Sequence, residues 1–91
     1  MAKWQFEDVY FSFEDRYWIG RELTTGRYCV WFPVTASAVE HNEQYELSPK
    51  QFDAFLADHD EALEFVEECR RREHDDLLFS QPGWNRGIPV R

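Results

Sequence analysis

Ninety-one residues, 43% hydrophobic and 31% charged, are too few for two domains and too apolar for a disordered chain, so they describe one domain with one core. A chain of this size buries roughly 60–65% of the surface its unfolded form exposes. Its net charge of −8, from 18 acidic against 10 basic residues, opposes direct contact with nucleic acid or an anionic membrane and favours a basic partner.

The charge is unevenly placed. Residues 1–35 hold ten of the sixteen aromatics and balance four basic against five acidic residues; residues 36–76 set four basic against thirteen acidic; residues 77–91 carry two basic residues with Pro82, Gly83, Gly87 and Pro89. No linker-like stretch separates these parts. They are expected to be layers of a single domain over 1–91: an aromatic β-meander (1–35), two acidic helices (48–74) and an irregular tail (77–91). The fold class this predicts is α+β, an antiparallel sheet of three to five strands with two α-helices packed on one face.

In chain order, Val9, Phe11 and Phe13 alternate with Tyr10 and Ser12 at the period of a strand. Glu14-Asp15-Arg16 breaks the pattern, and Tyr17–Leu23 and Tyr28–Val34 read as two further strands joined at Thr24-Thr25-Gly26. Two registers compete for this hairpin. A tight turn at Thr25-Gly26 pairs Leu23 with Tyr28 and Ile19 with Phe32, leaving Trp18, Cys29, Trp31 and Pro33 on the opposite face. A longer turn with a bulge at Gly26 shifts the pairing by one and mixes the faces. Turn chemistry favours the bulge, since Thr is strained at positive φ; the hydrophobic pattern favours the tight turn. In either register both sheet faces carry large apolar residues, so the face without helices needs a cover: the tail, a second copy or a partner.

Residues 35–47 are ambiguous, with a fourth, edge strand over Glu43–Leu47 as one reading, Tyr45 and Leu47 inward. Ser48-Pro49-Lys50-Gln51 opens a short helix: Ser48 at the N-cap, Pro49 at the first helical position, Gln51 completing a capping box. Phe52, Phe55 and Leu56 form its apolar stripe. Asp58 and Glu61 repeat that chemistry for a second helix running to about Glu73, which buries Ala62, Phe65, Val66 and Cys69 and ends on Arg70, Arg71 and Arg72, as the helix dipole favours. Leu77-Leu78-Phe79 offers a last strand, and Trp84 is expected to plug apolar sheet surface or to stand exposed as an anchor.

No phosphate loop, dinucleotide fingerprint, zinc-protease helix or nucleophile elbow occurs. Cys29 falls mid-strand and Cys69 on a buried stripe, positions where thiols act as small hydrophobes. Asp58-His59-Asp60 and His74-Asp75-Asp76 each set an imidazole among acids, but sequence neighbours on a helix do not share a face and supply at most two ligands. No catalytic residue, metal or cofactor is therefore expected. With two widely spaced cysteines, no apolar run around Glu7 and Asp8, and no stretch near the ~18 apolar residues of a membrane span, the expected setting is reduced and cytoplasmic.

The strongest functional signal is acid on the second helix. Asp60, Glu64, Glu67 and Glu68 recur at helical spacing on one outward face, with Glu61 beside them. Such a row is either a solvated face or a surface built for a basic groove, widened by Glu40, Glu43, Glu46, Asp75 and Asp76. On the second reading the protein is a non-enzymatic binding protein, foremost an immunity protein neutralising a basic bacterial toxin such as a nuclease, with Trp18, Trp31 or Trp84 as apolar anchors. The alternatives are a nucleic-acid mimic, a row that Arg70-Arg71-Arg72 interrupts, and a homodimeric structural or regulatory module using the second aromatic face. The expected partner is a basic protein, with no direct nucleic-acid or membrane contact, the chain itself monomer or homodimer.

Overall fold

The computed structural model, described over residues 4–36, 39–79 and 88–89, is the expected α+β arrangement. Strands β1 (Phe6–Ser12), β2 (Tyr17–Glu22), β3 (Arg27–Ala36) and β4 (Val39–Leu47) form an antiparallel sheet in chain order, and a two-residue β5 (Ile88–Pro89) pairs with the end of β3. Helices α1 (Pro49–Ala57) and α2 (His59–Arg70) pack on one sheet face. The fourth strand begins well before Glu43 and pairs with β3 along its whole length, from Tyr28↔Leu47 to Ala36↔Val39.

The β2–β3 hairpin takes neither expected register. Glu22 pairs with Arg27 and Ile19 with Val30, so the turn is four residues long, Leu23 to Gly26. The cause is Glu22. Its carboxylate, fully buried, accepts the Thr24 and Thr25 N–H groups at 3.0 and 2.8 Å, the Thr25 hydroxyl at 2.7 Å and the Gln5 N–H at 2.9 Å. Gly26 closes the turn at φ 75°, the left-handed conformation glycine adopts freely. The pairing differs from the tight-turn register by two residues, and a shift of two preserves the faces.

Tyr17, Ile19, Val30, Phe32, Val34, Tyr45 and Leu47 therefore meet Phe55, Ala62, Phe65, Val66 and Cys69 between sheet and helices. Both capping motifs form as expected. Ser48 and Gln51 make the full box, and Asp58 accepts from the Asp60 and Glu61 N–H groups. Helix α2 ends at Arg70, earlier than expected, because Arg72 turns left-handed at φ 65°. A 3-10 turn over Asp75–Leu77 follows, and Leu78 bridges Tyr45 at the β4 edge while the Phe79 N–H bonds the Gln44 carbonyl at 2.9 Å. Trp84 lies outside the described residues.

Strand β1 corrects the sequence pattern. A bulge between Asp8 and Tyr10 resets its alternation, so that Tyr10 pairs with Ile19 and Phe11 with Trp18. Tyr10 packs against the core, whereas Val9, Phe11 and Phe13 are exposed. The outer face carries a row of rings. Phe11 stacks on Trp18 at 4.5 Å, Trp18 lies parallel to Trp31 at 6.4 Å, and Phe6 contacts both Trp31 and Phe79. Trp31, expected as an exposed anchor, is only 6% exposed, because Phe6 and its neighbours lie over the indole.

Glu22 makes stability acid-sensitive in a predictable way. Burial raises a carboxyl pKa, yet the four hydrogen bonds outweigh it and hold Glu22 at about 2. A depressed folded-state value means this contribution is complete above the unfolded carboxylate range and is lost as pH falls from about 4.5 towards 2. Glu22→Gln is expected to melt well below the parent at pH 7 and to lose most of that difference near pH 2, read from thermal melts across a pH series. A constant gap at every pH rejects this role for Glu22.

Candidate functional site

The site is built by the α1–α2 corner. Asp58 ends one helix and caps the next, so α2 turns straight back across α1 with no intervening loop. The two helices meet through Phe55 and Phe65, whose ring centroids lie 5.3 Å apart. Above this contact opens a cleft of about 220 Å³ lined by Gln51, Phe55, Glu61, Glu64, Phe65 and Glu68. The floor is aromatic and nearly buried; the rim is three carboxylates and one amide.

The α2 acids are not equivalent. Glu61 and Glu64 are exposed on the cleft rim, and among the described residues neither forms an ion pair. Glu68 also lines the cleft, with its Oε1 2.7 Å from His74 Nε2, and the His74 ring stacks on Phe65 at 4.7 Å. His74 thus closes one end. Glu67 turns away from the cleft to meet the Arg70 guanidinium at 3.0 Å. Asp60 is exposed near the other helix flank, beside Tyr17, whose hydroxyl feels its charge. The expected single row is therefore a cleft trio of Glu61, Glu64 and Glu68 with Asp60 and Glu67 to one side.

Two of the acids proposed to widen the surface, Glu43 and Glu46, do not join it. Glu43 is buried on the helix side of β4, where its Oε1 accepts from the Tyr45 hydroxyl at 3.0 Å. Glu46 sits on the opposite side of the sheet and pairs with Arg27 at 3.2 Å. Trp18 also lies on the outer face, across the sheet from the cleft. The cleft carboxylates and the Trp18 and Trp31 rings thus occupy opposite sides of the sheet, and no single flat interface covers both.

No family model, curated protein or solved structure matches this chain.

The chemistry available must be read from the side chains themselves. The cleft walls supply glutamate, glutamine and phenylalanine. Both thiols are buried elsewhere. Burial first, then the nearby Glu22, pushes Cys29 up to about 12, and burial likewise raises Cys69, which keeps both as neutral thiols. Among the described residues no group of three or more His, Cys, Asp and Glu side chains is placed to hold a metal ion. A carboxylate rim over an aromatic floor suits a cation on an apolar stem: the rim meets the charge, the rings meet the methylenes and the cation's face. The α1 half of this site, Gln51 and Phe55, was missed in the sequence because their relevance depends on how the helices cross.

Proposed function

We propose that this chain is a non-enzymatic binding protein that uses the acidic α1–α2 cleft to dock a basic protein, and that its most fitting partner is a toxin of the nuclease type, which the chain neutralises as an immunity protein. The observation that carries this is the convergence of Glu61, Glu64 and Glu68 on a concave site floored by Phe55 and Phe65. A solvated helix face has no need of concavity or of an aromatic floor. A nuclease surface is cationic because it holds phosphates, and carboxylates presented on a rigid helix occupy the same positions while long-range attraction speeds capture. The nucleic-acid-mimic reading fits less well, since Glu67 and Glu68 are each held by a neighbouring cationic or imidazole side chain and the row loses its even spacing.

The test is affinity capture from the source cell with the parent chain and with Glu61→Lys/Glu64→Lys. The parent is expected to retain a basic protein that the charge-reversed variant does not. The measured affinity should weaken by at least about tenfold between about 0.05 and about 0.5 M salt. An acidic partner, or binding indifferent to salt, rejects the proposal.

A further inference from the structure

At about 220 Å³ the α1–α2 cleft is smaller than the roughly 300–1,000 Å³ of pockets for drug-sized ligands, so it has room for one side chain and not for a strand or helix. Its rim is anionic at Glu61, Glu64 and Glu68, its floor is the Phe55–Phe65 pair, and no basic side chain is among the described residues that line it. Elsewhere among the described residues, glutamate and an aromatic face come together twice around an arginine. The Arg27 guanidinium carbon lies 4.2 Å from the Phe79 ring centroid, with Nη1 3.2 Å from Glu46. The Arg70 guanidinium carbon lies 5.2 Å from the Phe32 ring centroid, with Nη1 3.0 Å from Glu67. The cleft presents the same two components on its solvent side.

Building on the reading of this cleft as the docking site, we propose that it takes a single arginine side chain of the partner, the guanidinium between Glu61 and Glu64 and the stem over Phe55 and Phe65. Two features select arginine over lysine. A guanidinium is planar and weakly hydrated, so it lies flat on a ring at little desolvation cost, whereas an ammonium holds its water tightly. Glu61 and Glu64 stand three residues apart on α2, exposed and side by side. Five N–H donors spread over a rigid fork serve two carboxylates at once; an ammonium is a compact point charge.

The opposite wall orients the partner's backbone. Gln51 Oε1 accepts the Ser48 N–H at 2.9 Å in the capping box, so Nε2 is the donor that this wall offers. A donor beside a cation site suits a main-chain carbonyl of the residue whose side chain fills the cleft. The occupant is thus an arginine within a polypeptide.

Titration of the full chain with Nα-acetyl-arginine N-methylamide, followed by two-dimensional NMR, tests this. The amide signals of Gln51, Glu61, Glu64 and Phe65 are expected to move with a Kd on the order of 1 mM, as suits a ligand of this size. The matching lysine compound should bind at least about threefold more weakly, and the citrulline compound, which keeps the shape without the charge, at least about tenfold more weakly. Glu61→Gln/Glu64→Gln, at two exposed positions, should weaken arginine binding at least about fivefold with the spectrum away from the cleft unchanged. Failure here and failure of the docking reading are separable. Blocked arginine that binds in the cleft, while capture yields no basic protein, sustains the guanidinium site and rejects the docking reading. A basic protein captured through Glu61 and Glu64, while blocked arginine moves no cleft signal up to about 50 mM or lysine binds as well as arginine, overturns this proposal and leaves the docking reading standing.

Discussion

Gly20→Val is expected to lower the unfolding free energy by about 3 kcal/mol, a large share of the roughly 5–10 kcal/mol a domain of this size commands. Gly20 is buried in β2, opposite Asp8 and just before the β1 bulge. The bulge brings the β1 backbone over the glycine. A Cβ there would run into the Glu7 carbonyl oxygen, with the Trp31 ring 2.9 Å and the Asp8 Cα 3.0 Å away. Two of those three atoms are backbone and can give way only by breaking β1–β2 pairing. The third belongs to Trp31, which is wedged among Trp18 and Phe6. Valine therefore pushes the edge strand off the sheet and opens the aromatic row together. Gly26→Ala is the control: it meets no atom within 4 Å and pays only for φ 75°, about 1 kcal/mol. Urea denaturation of the two variants checks the difference. Equal losses would mean that close approach at Gly20 does not limit the fold.

What the sequence made legible was local. Ser48, Pro49 and Gln51 announce a helix start because the capping groups lie within four residues of each other, and Asp58 does the same for α2. The two sheet faces were legible as well, because alternation survives any even register shift. What escaped depended on groups distant in the chain. The length of the β2–β3 turn is set by the Glu22 carboxylate, which in sequence looks like one more surface acid. The β1 bulge inverts the sides of Val9, Phe11 and Phe13, and its cause lies across the strand at Gly20. The acid row on α2 was visible from spacing, but its division into cleft and flank rests on Phe55 from α1, His74 beyond the helix end, and Arg70. The arginine run is the clearest case: of three consecutive residues of like charge, Arg70 is buried, Arg71 pairs with Glu73 at 2.6 Å and Arg72 turns left-handed, and only packing distinguishes them.

Arg70→Met is expected to cost about 2–3 kcal/mol, more than an exposed arginine could. Arg70 is 6% exposed and anchors α2 to the β1–β2 turn. Its Nη2 donates to the Asp15 carbonyl at 2.6 Å and the Arg16 carbonyl at 3.2 Å, its Nη1 to Glu67 at 3.0 Å, and its guanidinium carbon lies 5.2 Å from the Phe32 ring centroid. The turn it grips contains Arg16 at φ 58°, a left-handed conformation that costs a non-glycine residue about 1–2 kcal/mol. Methionine keeps the apolar stem over Phe32 and removes all three hydrogen bonds. The loss stays at the lower end for a buried ion pair because the Glu67 side chain, 28% exposed, can recover water. Arg70→Lys keeps the charge without the planar fork, so it should fall between parent and methionine variant. If the grip on the turn is what matters, Arg16→Gly relieves the left-handed strain and should return about 1 kcal/mol to Arg70→Met. A double-mutant cycle by urea denaturation measures that coupling. Strict additivity, or a loss for Arg70→Met under about 0.5 kcal/mol as at an ordinary surface site, would show that the β1–β2 turn holds its shape without α2.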